Sequence, residues 1–181
     1  DRLYEHLTAL RDSGFVTITQ QDIIDYYEQG KVLPEKAVFL MFEDGRRDTA
    51  VFAQKILEEL NYKGTAMTYA ERITRKDPKF LKAAELQDLY GNGFWEMGTN
   101  GYRLEFINCF DRYDNYLGEL TVYKYVMLAP YIGKKFNHYL MDYLRDAYDF
   151  PKESYNVMQD RISYDYEKLR DIYKENIGFV P

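Results

Sequence analysis

Glu43 and Asp44 stand side by side directly after the apolar run at residues 37–42 (AVFLMF). Adjacent carboxylates at the end of a buried strand can divide two tasks of hydrolysis, one holding a metal ion and the other acting as general base. The same pair also suits a solvated turn whose Asp caps the helix that follows. Further along, Glu96 and Asn100 fall on one face with Phe94 and Gly98 if that stretch runs as a strand of period two. Glu96, Asn100 and Arg46 would then converge near Glu43, with Glu96 as a metal ligand or as the second acid of a metal-free hydrolase. The alternative is a buried Glu96 neutralised by Arg46, Arg47 or a lysine. A zinc-like ion usually asks for imidazole, and the chain has two histidines, His6 and His138. Neither has a partner at ligand spacing, so both read as surface or core-edge residues. The glycines at 91, 93, 98 and 101 lack the spacing of a phosphate cradle. Residues 111–115 are too short and loose for a calcium loop, and Cys109 reads as a buried thiol.

The elements that must position these residues are legible in the first hundred positions. Leu3, Leu7 and Leu10 recur at helical spacing and Gly14 supplies a stop. Residues 15–18 read as a short buried strand. Thr19 with Asp22 forms the pattern of a capping box, opening a helix through Ile23, Ile24 and Tyr27 that Gly30 and Pro34 break. The run at 37–42 reads as a strand covered on both faces. A polar turn at 43–48 then leads to a helix carrying Phe52, Ile56, Leu57 and Leu60. Strands follow at 64–70 and 94–98, with a short helix at 83–90 between them. This alternation predicts an α/β chain of βαβ units with a parallel sheet or barrel, whose chemistry sits at the C-terminal strand ends.

After residue 105 the pattern changes. Ile132, Phe136, Tyr139, Leu140, Tyr143 and Leu144 predict an amphipathic helix ending at Phe150-Pro151, and a second helix is expected at 163–176. Phe179, Val180 and Pro181 look like the start of another strand, and the first residue is Asp1 rather than Met. The expectation is a piece of a longer chain, attached to other domains.

With 181 residues the chain suits one domain spanning 1–181. Lys and Arg total 24 against 30 Asp and Glu, a net charge of −6, which argues against nucleic acid and against an anionic membrane face. No apolar run is long enough for membrane insertion. A hydrophobic fraction of 46% excludes a disordered chain. Tyrosine occurs 19 times, mostly after residue 100; it pairs a large apolar ring with a hydroxyl, suiting half-wet surfaces and contacts to sugar or protein.

The stretch 10–104 resembles the polysaccharide deacetylase family, the NodB-homology domain of carbohydrate esterases. Leu10-Arg11-Asp12-Ser13-Gly14-Phe15 is similar to the family's helix-Gly-Phe lead-in, and residues 31–38 (KVLPEKAV) to the approach to its first motif. Met41-Phe42-Glu43-Asp44-Gly45 falls on the signature Thr-Phe-Asp-Asp-Gly. Residues 95–104 (WEMGTNGYRL) fall on the second motif, where a short strand leads to Ser/Thr-His-x-x-x-His. The resemblance implies a distorted (β/α) barrel, incomplete if later strands lie outside this chain; residues 105–181, beyond the resemblance, read as a divergent, Tyr-rich helical part. It implies metal-assisted removal of acetyl groups from N-acetylated sugars. Carried over, Glu43 takes the base position and Asp44 a metal-ligand position, while the two histidine ligands fall on Asn100 and Leu104. Asn100 offers at most a weak carbonyl ligand and Leu104 offers none. Glu for Asp moves the carboxylate outward by one methylene, and a misplacement of about 1 Å can cost roughly a hundredfold in rate.

The reading that follows is a deacetylase-like domain with a degenerate metal site, which binds or positions an acetylated glycan or has a structural role. Arg46, Glu96 and Tyr102 are its candidate substrate contacts. The resemblance places it outside the cytoplasm or on the cell surface of a bacterium. The first alternative is an active hydrolase of N-acetylated sugars that uses Glu43, Asp44 and Glu96 with a relocated, zinc-like divalent metal as cofactor. The second is a protein-interaction module built on the Tyr-rich half.

Overall fold

The computed structural model describes residues 2–181. Two compact units make up the chain: one runs to Asn100 and takes in Arg170–Pro181, the other is Gly101–Leu169.

The first unit begins with α1 (Arg2–Asp12), whose Leu7 is buried, and Gly14 ends it in a left-handed conformation (φ 83). β1 (Val16–Thr17) leads to α2 (Gln20–Gln29). The capping box forms as the sequence predicts: Asp22 N–H donates to Thr19 Oγ1 at 3.1 Å, and Thr19 N–H to Asp22 Oδ2 at 2.9 Å. Two helix-end donors are thereby satisfied without water. The apolar run at 37–42 forms two short strands rather than one, β2 (Ala37–Val38) and β3 (Met41–Phe42). β2 pairs in parallel with β1, whereas β3 pairs in parallel with β4 (Gly64–Tyr69). The chain changes partner between them, so the run is not covered on both faces, and Met41 is 53% exposed.

Between β3 and β4 lies α3 (Arg47–Leu60), which buries Ala53 and Leu57 completely. Full burial of such a leucine contributes roughly 1.5–3 kcal/mol. α4 (Ala70–Thr74) and α5 (Ala83–Gly91) connect β4 to β5 (Trp95–Gly101), and β4 is the centre of a three-stranded sheet of order β3-β4-β5. Trp95 packs against Phe42 with ring centroids 5.0 Å apart. The unit is mixed α/β, with sheets of two and three strands.

The second unit is an antiparallel sheet of order β7-β6-β8, built from β6 (Glu105–Phe110), β7 (Tyr116–Thr121) and β8 (Asn137–His138). α6 (Val122–Leu128) follows β7, and α7 (Tyr155–Asn176) starts here and ends in the first unit. No helix forms at 132–144. Asn137 and His138 pair instead with Ile107 and Phe106 of β6, and Gly133 is pinned so closely that a Cβ would stand 2.7 Å from the Asp111 carbonyl oxygen. The aromatic spacing that imitates a helix serves ring packing: Phe136 meets Phe106 edge-on at 5.4 Å and Tyr125 at 5.5 Å. Among the described residues, no helix is long and apolar enough to cross a membrane.

Candidate functional site at the ends of three strands

After β3 the chain turns through a single 3-10 turn, Glu43–Gly45. Asp44 (φ 66) and Gly45 (φ 60) are both left-handed. At Gly45 an added Cβ would lie 2.7 Å from Thr68 Cγ2, so only glycine lets the turn close against β4. At Asp44 the same backbone stores about 1–3 kcal/mol of strain, tolerated because Asp is among the residues that visit this region. The tight turn holds Glu43 and Asp44 at the strand end, both exposed.

Asn100, near the end of β5, reaches the same place: its Nδ2 donates to Glu43 Oε2 at 2.8 Å. The amide thus presents its NH2 group to Glu43 and turns its oxygen away. The end of β4 supplies a third group that the sequence reading missed. Burial pushes the Tyr69 phenol up to about 12, and the charges of Asp44 and Glu43 push the same way. Tyr69 therefore stays protonated and can donate. The signal was available, since a strand was expected there and strand ends carry the chemistry.

Beneath these groups the strands are tied together. The Tyr173 hydroxyl, from the last turns of α7, donates to the Thr68 carbonyl at 2.9 Å and lies 2.5 Å from Thr68 Oγ1. Thr99 Oγ1 donates weakly to the same carbonyl, at 3.4 Å. Tyr173 is completely buried, which raises its pKa.

The remaining expected residues lie elsewhere or are engaged. Glu96 takes the backbone N–H of Gln20 at 2.8 Å, with Thr65 Oγ1 at 3.5 Å; it caps the first turn of α2 and joins neither Glu43 nor an arginine. Arg46 pairs with Asp48 at 2.7 Å and Arg47 with Glu85 at 2.7 Å. The hydrogen bond and charge of Asp48, with Asp44 and Asp77 nearby, raise the Arg46 pKa. No side chain caps α3, so Asp44 is not its cap. Tyr102 and Leu104 belong to the second unit, where the Arg103 guanidinium lies 5.5 Å from the Tyr102 ring.

A zinc-like ion does not fit these donors. Among the described residues no three His, Cys, Asp or Glu side chains are placed to hold one. Glu43 accepts from an amide, Asn100 offers N–H rather than oxygen, and Leu104 has no donor atom. His6 is exposed on α1. His138 Nδ1 accepts from Leu140 N–H at 3.3 Å, and burial lowers its pKa.

No family model matches the sequence, and no curated protein matches it. Solved structures do share the fold. A de-N-acetylase from Aggregatibacter actinomycetemcomitans aligns with a TM-score of 0.72 and 18% identity over 99% of this chain and 65% of its own. The deacetylase domain of BpsB from Bordetella bronchiseptica aligns with a TM-score of 0.72 and 17% identity, over 98% and 65%. IcaB from Ammonifex degensii gives 0.63 and 16%, over 99% and 62%. This chain thus spans somewhat under two thirds of each of these structures. At such identities the likeness is one of fold: the chain shares its mixed α/β fold with these deacetylase structures.

Proposed function

We propose that this chain is a polysaccharide deacetylase-like domain of carbohydrate metabolism that binds or positions an acetylated glycan without a family-type metal centre. Its scaffold is that of the distorted (β/α) barrel, acting outside the cytoplasm of a bacterium alongside further domains. The observation that carries the reading is the Asn100–Glu43 hydrogen bond. It joins the two positions where the family resemblance puts the base and a metal ligand, and satisfies them with each other. What remains is a polar rim of carboxylates, amide and the protonated Tyr69 phenol. An open groove of about 360 Å³, lined by Met41, Met67 and Thr99 among others, runs beside it on the same strands. Polar rims next to apolar walls suit sugar rings carrying hydroxyl and acetamido groups.

Calorimetric titration with N-acetylglucosamine oligomers tests this. Binding is expected, and Asn100→Ala or Glu43→Gln should weaken it about tenfold, as loss of a charged hydrogen bond does. No binding, or equal binding by wild type and variants, would overturn the proposal.

One observation favours a second reading. The strained left-handed turn still presents Asp44 at the strand end, where an active hydrolase with a relocated divalent metal would need it. Acetate release from N-acetylated oligosaccharides, lost in Asp44→Asn, is what that reading requires.

A further inference from the structure

An open cleft of about 650 Å³ lies entirely within the second unit, in the size range of small-molecule sites. Phe110 and Phe136 line it, together with Tyr148, a residue 82% exposed. Its polar wall is preassembled. Asp142 accepts from Arg145 Nε and Nη2, both at 3.1 Å, from Tyr143 N–H at 2.7 Å and from Asn137 Nδ2 at 3.0 Å. Because Asn137 spends its NH2 group on Asp142, its side-chain oxygen remains as an acceptor without a hydrogen bond among the described residues.

Behind this wall stands Asn108, 8% exposed and left-handed (φ 55) in the middle of β6. The register of β6 against β7 shifts there, between Phe106 and Cys109. Asn108 Nδ2 donates to the Tyr143 carbonyl at 2.8 Å, and its Oδ1 accepts from Arg145 N–H at 2.9 Å. Strand irregularities of this kind re-aim side chains and occur preferentially beside binding sites. Here the irregularity clamps the Tyr143–Arg145 backbone as the rear of the cleft.

The lining charges decide the class of ligand. Lys134, Lys135 and Arg145 are balanced by Asp114, Asp142 and Asp149. Lys135 pairs with Asp114 at 3.1 Å and Arg145 with Asp142 at 3.1 Å. A balanced cleft gives neither a polyanion nor a cation a net field. Rings beside a fixed acceptor suit an uncharged molecule with a flat apolar face and many hydroxyls. We propose that this cleft is a glycan subsite: it takes a short, uncharged hexose or N-acetylhexosamine segment, one ring stacked on Tyr148 and a hydroxyl donating to Asn137 Oδ1. The proposal rests on reading the chain as glycan-binding and adds a second contact surface to that at Glu43 and Asn100.

The test is a titration of the isotope-labelled full chain with an N-acetylglucosamine oligomer, read by amide shifts at Asn137, Ala147 and Tyr148, and separately at Glu43 and Asn100. Saturable shifts are expected at the cleft. Tyr148→Ala, a surface change at a ring that stacks on no other ring among the described residues, should weaken them about tenfold and leave the Glu43 set unaltered. Lys134→Ala should change the affinity less than about twofold, since its charge is balanced. Shifts at Glu43 and Asn100 alone would overturn this inference and keep the first site. Shifts in the cleft alone would do the reverse, and shifts at neither would overturn both. An equal response to the cationic glucosamine oligomer would refute the assignment of an uncharged ligand.

Discussion

In the first unit Ala53, Leu57, Ala66, Leu86 and Trp95 are almost wholly buried, and apolar surface does most of the joining. The second unit buries Ile107 and Cys109, yet also encloses ion pairs, while the first also buries the Arg72 guanidinium, 4.6 Å from the Phe80 ring. Asp165 is 2% exposed beneath a two-pronged contact from Arg103, at 3.1 and 3.2 Å. Glu153 and Arg161 meet at 2.6 Å with side chains 4% and 9% exposed. Between them lies Tyr139, with the Arg103 and Arg161 guanidinium carbons each 4.4 Å from its ring centre. Apolar packing tolerates approximate geometry, whereas buried ion pairs tolerate almost none. The first unit can therefore vary its strand-end residues while keeping its frame, and the second unit depends on a few specific partners.

The sharpest way to break this comparison is Glu153→Ala, which leaves the buried Arg161 charge without its carboxylate. A loss of about 3 kcal/mol or more is expected in denaturant unfolding; a loss below about 1 kcal/mol would mean that the second unit does not depend on its ion pairs. Burial pushes the Glu153 carboxyl up, but the Arg161 hydrogen bond, the Leu144 N–H and the Arg161 charge together hold it below its usual value. A depressed carboxylate contributes stability above its unfolded pKa of about 4.3, and that contribution disappears as pH falls through the folded value. Wild type should thus lose stability below about pH 4, and Glu153→Gln should lose less over the same range.

Gly45→Ala tests the frame of the first site. The left-handed backbone and the 2.7 Å approach to Thr68 Cγ2 together predict a cost of about 2 kcal/mol, with displacement of Asp44 and weakening of the proposed glycan binding. Thr19→Ala removes one half of the capping box and should cost about 1 kcal/mol in thermal unfolding. A cost near zero would show that Glu96, which caps the same helix end, suffices there.

How much was legible in the sequence follows the same division. The capping box, α3, β4, α5 and β5 stand where periodicity and cap chemistry placed them, because local rules and tertiary packing agree in that unit. The run at 37–42 misled because hydrophobicity does not say that a strand changes partner midway. The expected helix at 132–144 failed because Phe136 and Tyr139 meet rings and guanidiniums from distant segments, which no local period encodes. At the site, the approach of Asn100 to Glu43 was readable from strand-end logic. The engagement of Glu96 at the start of α2 was not, since it depends on a residue 76 positions away.

Glu43 and Asn100 satisfy each other at the two positions where the family resemblance puts the base and a metal ligand. Calorimetric titration of the full chain with zinc addresses that pairing most directly. The account predicts no binding tighter than millimolar, unchanged in Asp44→Asn. A micromolar dissociation constant that Asp44→Asn abolishes would contradict it and restore the metal-dependent hydrolase.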